Sequence, residues 1–442
     1  MPQVTLVSPS TDFPKQTDAV VIGAGIIGIS TALELQARGL QVVVLEKGEV
    51  AAEQSSRNWG WCRQMGRDPR EIPLIKISLT LWRNMNKRIG AETGFRTCGV
   101  FYLSDTDKEL EGYATWQRAH GKTNGLSTRV VSSAELDTLV PGSTHAWKGA
   151  LFTEDDGRAE PFIAVPAMAE FFKSQGGQIF TRCAARGLET AAGRVSAVVT
   201  ERGTINTNQV VLAGGYWSER FLENLDVRFP QTGVISSVMR TSPVDLGHGR
   251  TFAGRRFAAR KRLDGGYTIA NNFFTMVDLT PRHLRYVWDF LPILKLNRNE
   301  VRLHLGKRFL EEWLLPRRWQ LDAVSPFERV RVLDPAPFVS LLDEALQDLQ
   351  QCYPAFKHVK IEERWAGMID ATPDAVPVID KIARIPGLFM ASGFSGHGFG
   401  LGPGAGRLMA EIVTGETPCV DPTPFRFERF SDGTGVSPTT GV

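Results

Sequence analysis

An α/β fold is predicted for this 442-residue chain, built on a Rossmann-like nucleotide-binding domain that is interrupted and later resumed. Three stretches predict it. Residues 18–46 read as strand, G-x-G-x-x-G turn, helix and second strand ending in Glu46. Residues 209–218 read as a strand that runs into Gly214-Gly215 just before a new helix. Residues 387–415 read as a strand, a glycine-dense segment and a helix.

In the first stretch, Asp18–Ile22 is an apolar run of strand length. Gly23, Gly25 and Gly28 follow, then a helical pattern over 26–38 and an apolar strand over 41–45. Gly23 permits a tight turn, Gly25 lets backbone approach a pyrophosphate, and Gly28 lets helix pack on strand. The helix N-terminus offers free N–H groups and partial positive charge to phosphates. Glu46, eighteen residues after Gly28, is placed to accept hydrogen bonds from a ribose diol.

Further on, periodicity predicts helices over 77–90, 108–120, 133–139 (with serine capping) and 164–174, and a strand over 97–104. Strands are expected at 178–184, 195–200 and 209–213, then at 234–241 and 267–272. Residues 281–320 carry nine Lys/Arg against four Asp/Glu, with Trp288, Phe290, Phe309, Trp313 and Trp319. They read as a helical insertion with a solvated basic face, or as a surface for membrane or partner docking. Strand 388–391 precedes the glycine-dense segment, and a helix is expected from about Pro403. Gly393, Gly396, Gly398, Gly400 and Gly402 lose much backbone entropy on ordering. They are expected to lie as a loop against a flat ring, with the helix N-terminus stabilising negative charge on a reduced flavin.

Composition is that of a globular protein, with 42% hydrophobic and 22% charged residues. A net charge of +3 is too small to argue for nucleic acid, and no nucleic-acid partner is expected. The five cysteines are scattered without CxxC or zinc spacing, so no metal and no disulfide framework is expected. Residues 1–17 do not read as a signal peptide, and no apolar run approaches the length of a transmembrane helix. The expected location is cytoplasmic, with peripheral membrane association as the alternative.

The three glycine-bearing stretches GAGIIG with Glu46, VVLAGGYWSE and GFSGHGFGLGPGAGRL together resemble the FAD-dependent D-amino acid oxidase family, which includes glycine and sarcosine oxidases. EQSSRN at 53–58, CAARGLET at 183–190, SPFERVR at 325–331 and WAGMIDATPD at 365–374 look most like the bacterial FAD-dependent L-amino acid deaminases. The resemblance implies FAD, a split FAD-binding domain (1–90, 150–230, 362–430), and a substrate domain (91–149, 231–361) on a large, mostly antiparallel sheet. The insertion would span about 281–330, and 431–442 would be a disordered tail. Cofactor contacts carried over fall on Gly23, Ala24, Gly25, Ile26, Ile27 and Gly28, on Glu46 and Lys47, and on Ser55, Ser56, Arg57, Asn58, Gly60 and Trp61. They continue at Ala185, Ala213, Gly214 and Trp217, and end on Gly393, Gly396, His397, Gly398, Phe399 and Gly400. In the sarcosine oxidase branch a cysteine binds the flavin covalently; the matching position here is Gly367, so the FAD is expected to be noncovalent.

The expected reaction oxidises the CH–NH bond of an amino acid to an imine, which water converts to a keto acid and ammonia. Arg260 matches the carboxylate-binding arginine of the similar deaminases, and a guanidinium fork suits a carboxylate. Arg63 is the second choice, because 58–64 is expected to pass the flavin. Trp59, Trp61 and Trp365 are candidate aromatic walls, and His304 reads as structural. Partners implied are a small amino acid or amine, with oxygen or a membrane quinone as electron acceptor. The alternatives are an N-substituted or cyclic amino acid as substrate, a flavoprotein subunit of a larger oxidase complex, and a nicotinamide dehydrogenase in which the glycine-rich tail has no role.

Overall fold

The computed structural model describes residues 4–434 and 438. A six-stranded sheet carries the nucleotide-binding half. Its order is Val378–Lys381, Leu388–Ser392, Val210–Leu212, Ala19–Ile22, Val42–Leu45 and Gln178–Phe180. All neighbours run parallel except the outermost pair, Val378–Lys381 with Leu388–Ser392. Every residue of Ala19–Ile22, Val42–Leu45 and Val210–Leu212 is buried, as strands covered on both faces require. Helices Ile26–Ala37, Ile72–Ile89, Pro161–Ser174 and Gly398–Thr414 cover one face and share its apolar core. The antiparallel strands Ala185–Ala191, Arg194–Thr200 and Gly203–Asn206 help to build the core of the other face.

The second sheet has ten strands, and seven of its nine ladders are antiparallel. Its spine is Thr232–Thr241, paired along its length with Ile361–Ala371. Gly149–Thr153 and Ile361–Ala371 pair within this sheet rather than the nucleotide-binding one. Helix Val339–Cys352 packs on it through Leu342, Ala345 and Leu349.

Several expected elements move. The helix expected at 77–90 begins earlier, at Ile72, and the one expected at 164–174 begins at Pro161. The side-chain cap of Ser133–Leu139 is Ser132, whose hydroxyl accepts from the Glu135 N–H. The largest correction concerns the glycine-dense segment. It is loop only as far as His397, and the helix runs over Gly398–Thr414 with Gly400, Gly402, Gly404 and Gly406 inside it. These glycines serve packing. A Cβ would stand 2.5 Å from Ile26 Cγ1 at Gly402, 2.8 Å from the Leu74 carbonyl at Gly404, and 2.5 Å from Ser30 backbone at Gly406. The helix thus lies almost backbone to backbone on Ile26–Ala37 and Ile72–Ile89, a gain in packing that offsets the entropy of ordering glycine.

The insertion consists of helices Pro281–Arg285, Val287–Leu296 and Lys307–Trp313 with strand Val301–His304. Its basic face is not simply solvated. Arg282 is buried against Glu219 and Glu312, both at 3.1 Å, and Arg285 pairs with Glu219 and Glu223. The Tyr216 hydroxyl donates to Glu312 at 2.6 Å. These pairs seat the insertion on helix Ser218–Glu223 of the nucleotide-binding half. His304 is structural, with Nδ1 2.8 Å from Asp278. Of the tail expected to be disordered, residues 431–434 are tied down by Arg426 to Asp432 at 2.7 Å, while 435–437 and 439–442 lie outside the described residues. No helix among the described residues is long and apolar enough to cross a membrane.

Candidate functional site

The first turn carries the geometry its glycines predict. Gly23 has φ +108°, and a Cβ there would stand 2.4 Å from the Ala213 carbonyl. At Gly28 a Cβ would stand 1.9 Å from the Gly23 carbonyl. Gly25 precedes helix Ile26–Ala37 and gives it no side-chain cap, so the N-terminal N–H groups open onto a groove. The Ser55 hydroxyl accepts from Ile26 N–H at 2.9 Å, a position a phosphate oxygen could share.

Around this turn Gly23, Gly25, Ile26, Ile27, Glu46, Lys47, Ser55, Asn58, Ala185, Ala213, Gly214, Trp217, Gly396, Gly398 and Phe399 all line one groove. The Glu46 carboxylate accepts from Ala24 N–H at 2.9 Å and Gly48 N–H at 2.7 Å. These bonds fix its orientation and leave lone pairs for a diol. Burial raises its pKa above the ordinary carboxylate value, and Lys47 and the two N–H groups oppose that rise. The Lys47 ammonium sits 4.5 Å over the Trp217 ring and pairs with Glu53. Free helix N–H groups, close-approach glycines, a diol acceptor and an apolar wall form the donor set a dinucleotide needs, and FAD fits it. Among the described residues no cysteine or histidine lines this groove, and Gly367 faces Gln54 and Arg57 with no space for a side chain.

Other expected contacts lie behind the groove. Ser56 is buried with its hydroxyl on the Glu53 carbonyl. Arg57 is buried, donating to Ala52 and Ala366 carbonyls and to Asp334. Gly60 packs on Arg260 and the Ala159 carbonyl, and Gly393 makes a left-handed turn at φ +76° against Thr372. The Gly400 carbonyl accepts from Ser78 and Trp82 inside the helix packing.

A second cavity, of about 520 Å³, adjoins the groove. Gln54, Asn58, Gly396 and Phe399 line both, which marks the junction. Strands Thr232–Thr241 and Thr275–Asp278 form its floor, and the insertion supplies Leu284, Val287, Phe290, Ile293 and Leu294 as an apolar wall. Trp59, Trp61, Arg63, Arg67 and His397 line the same cavity. The two indoles pack edge to face with centroids 5.7 Å apart.

Two expected site residues are elsewhere. Arg260 lines neither cavity. It is 1% exposed, and its three nitrogens are spent on the Trp59 carbonyl at 2.6 Å, Glu160 at 2.8 Å and Thr268 at 2.9 Å. With every nitrogen bonded to protein and the side chain buried away from both cavities, it acts as an internal strut behind the 58–62 loop. Trp365 also lines neither cavity; it is buried, donates to the Arg57 carbonyl and packs on Phe162.

Sequence reasoning overlooked Arg67, Glu71, Asp156, Asp370 and the cavity-facing insertion residues. Arg67 is buried, and its Nη1 has no hydrogen-bond partner. Burial and the neighbouring Arg63 pull its pKa down to about 10. Its place four residues after Arg63 was the available signal. Asp370 stands inside the quoted WAGMIDATPD. Its carboxylate accepts from Gly393 N–H at 2.7 Å and so holds the turn before the last helix, while burial pushes its pKa up to about 6.

Asp156 positions the arginine loop. Its carboxylate accepts from Gln64 N–H at 2.8 Å and Met65 N–H at 3.2 Å, and burial pushes its pKa up to about 7. The folded protein thus holds this proton over a range where the unfolded chain, with its ordinary value of 3.8, has lost it. The stability this provides is complete below pH ~4 and disappears as pH rises through about 7, a change of at most ~4 kcal/mol. Asp156→Asn cannot ionise. Its stability relative to wild type is therefore expected to improve from pH 5 to about pH 7 and then level off, read from thermal unfolding. A wild-type/variant difference that stays constant over this range would refute the assignment.

The family model described as FAD dependent oxidoreductase matches residues 18–412. The L-amino acid deaminase from Proteus myxofaciens, solved in complex with anthranilate, superposes with a TM-score of 0.94 at 34% identity, covering 97% of each chain. The L-amino acid deaminase from Proteus vulgaris gives 0.92 at 36% identity, over 96% of this chain and 100% of that one. Glycine oxidase of Pseudomonas aeruginosa is 24% identical over 92% of this chain and 97% of its own. With groove, fold and a family match from the first strand to the last helix in agreement, the chain belongs to the FAD-dependent oxidoreductase family.

Proposed function

We propose that this enzyme oxidises the Cα–N bond of a primary L-amino acid with a large apolar side chain. One observation carries the reading: the cavity that shares lining residues with the cofactor groove is lined both by two guanidinium side chains, Arg63 and Arg67, and by an apolar wall. A substrate carboxylate would bind the Arg63 guanidinium through charge-assisted hydrogen bonds, with buried Arg67 adding positive charge beside it. The side chain would then extend along Phe290, Ile293 and Leu294, in a space within the usual 300–1,000 Å³ of ligand pockets. Gly23, Gly25, Glu46, Lys47 and Trp217 would hold FAD, without a covalent bond. FAD, when bound, supplies the acceptor for the two electrons and hydrogen leaving Cα. The protein orients the carboxylate, excludes water behind Trp59 and Trp61, and receives the amine proton. The imine hydrolyses in water to a keto acid and ammonia. The L configuration and primary amine follow from likeness to the two deaminases.

For the electron acceptor, the insertion exposes Trp288, Leu310, Trp313 and Leu314 beside Arg317 and Arg318. This combination suits peripheral contact with a membrane surface, where a quinone would be the electron acceptor.

Anaerobic mixing with D-, L- and N-methyl amino acids is the test. Bleaching of the flavin by apolar L-amino acids, with release of ammonia, is expected. A flavin that stays oxidised with every one of them would overturn the reading; bleaching with alkylamine release would favour a secondary amine.

A further inference from the structure

We propose that His397, held by Glu71, is the base that takes the proton from the substrate's ammonium group; this rests on the amino acid reading above. His397 stands in sequence between Gly396 and Phe399, two of the four residues that line both groove and cavity. It lines the cavity itself, alongside Arg63 and Arg67. A carboxylate on Arg63, with Arg67 beside it, places the α-amino group in the cavity that this ring lines.

The tautomer follows from geometry. Nδ1 lies 3.1 Å from Glu71 Oε1 and 2.9 Å from Oε2. A carboxylate only accepts, so Nδ1 carries the hydrogen and Nε2 keeps its lone pair. Nε2 has no hydrogen-bond partner among the described residues, and the side chain is 24% exposed, so the lone pair is open to the cavity. Glu71 is fully buried at the start of helix Ile72–Ile89, which keeps its carboxylate away from solvent and beside the ring.

The charged groups facing the ring are Glu71 from that helix and Arg67 and Arg63 from the loop before it. Burial and the two guanidinium groups lower the His397 pKa, while Glu71 acts in the opposite sense. The free enzyme therefore presents a neutral imidazole at neutral pH. A bound carboxylate offsets the guanidinium charge, so the substrate itself makes Nε2 more basic. In the step, an N–H bond of the ammonium breaks and its electron pair stays on nitrogen. The proton bonds to Nε2, and Glu71 stabilises the imidazolium. Nothing is oxidised or reduced, and the neutral amine can then support loss of hydrogen from Cα.

The test uses the FAD-loaded protein as wild type, His397→Asn and Glu71→Gln, with L-phenylalanine as substrate and 3-phenylpropanoate as the amine-free ligand. Three quantities are read against pH: the anaerobic rate of flavin bleaching, the 3-phenylpropanoate Kd from the flavin spectrum, and the His397 imidazole titration by NMR. For His397→Asn we expect bleaching about 100-fold slower at neutral pH. Its rate should climb toward wild type as the substrate's own ammonium deprotonates, while 3-phenylpropanoate Kd and flavin content stay within about 2-fold. Glu71→Gln is expected to shift the imidazole titration and, with it, the rising limb of the pH profile. A His397→Asn rate within 3-fold of wild type, or a loss equal at every pH, would overturn the proposal and leave the amino acid reading intact. Wild type that binds 3-phenylpropanoate but is not bleached by L-phenylalanine or any other amino acid would overturn both.

Discussion

Arg63→Met is expected to lower kcat/KM for an apolar amino acid about 10³-fold. Arg63 lines the cavity, its guanidinium is 5.4 Å from the Tyr102 ring, and its one hydrogen bond to protein goes to the Met65 carbonyl. That leaves most of a five-donor fork for a ligand, in contrast to Arg260, where Nε, Nη1 and Nη2 all have protein partners. Truncating one partner of a buried, charge-assisted pair costs about 2–5 kcal/mol, and 1.4 kcal/mol is tenfold. Arg63→Lys keeps the charge without the fork and should recover only part of the loss. Flavin content and thermal stability should change little, because Arg63 is half-buried and its contacts with protein are one backbone carbonyl and the face of Tyr102. Arg260→Met should behave in the opposite way: it strands buried Glu160 and loosens the 58–62 loop, so stability falls before any selective effect on KM. If Arg260→Met raised KM in a stable protein while Arg63→Met did not, the carboxylate anchor would have to be reassigned.

The same contrast separates what the sequence made legible from what it did not. The Gly23–Gly28 turn, Glu46 and the strand before Gly214 were legible because each obeys a local rule: a glycine where a Cβ would clash, an acid at the end of the next strand. Arg260 and Arg63 obey no local rule. Both are arginines in half-apolar surroundings, and only tertiary pairing decides which is spent on Glu160 and which keeps a free fork. The insertion was misjudged for a related reason. Its basic count could not reveal that Arg282 and Arg285 would meet Glu219, Glu223 and Glu312, with Glu219 and Glu223 some 60 residues before the arginines. With those charges buried, Val287, Phe290, Ile293 and Leu294 line the cavity while Trp288 and Leu296 stay exposed. In the glycine-dense tail, Gly402, Gly404 and Gly406 fall at spacings of two that suggest a loop. They pack as a helix because two other helices approach from different sides.

Gly28→Ala is expected to abolish FAD retention, at least tenfold in flavin per protein after purification, and to destabilise the fold by about 1–3 kcal/mol. The argument is steric. The added Cβ would stand 1.9 Å from the Gly23 carbonyl oxygen and 3.0 Å from its carbon, both backbone, so no side-chain rotation relieves it. Helix Ile26–Ala37 must move off its strand, and the turn between them carries the N–H groups that would hold the pyrophosphate. Gly25→Ala separates stability from cofactor binding. There the contact is Ser55 Oγ at 2.8 Å, the end of a small rotatable side chain, so the fold should survive while the methyl group blocks the phosphate approach. Gly112→Ala is the opposite case. That glycine lies in helix Asp107–Trp116 with nothing within 4 Å, so alanine should stabilise by about 0.5–1 kcal/mol and leave the flavin untouched. Absorbance of the visible flavin band per protein, measured with thermal unfolding, distinguishes the three. Full flavin occupancy in Gly28→Ala would refute the placement of the pyrophosphate at this turn. Equal loss in Gly25→Ala and Gly28→Ala, with Gly25→Ala as stable as wild type, would fix the cause as blocked phosphate approach rather than a displaced helix.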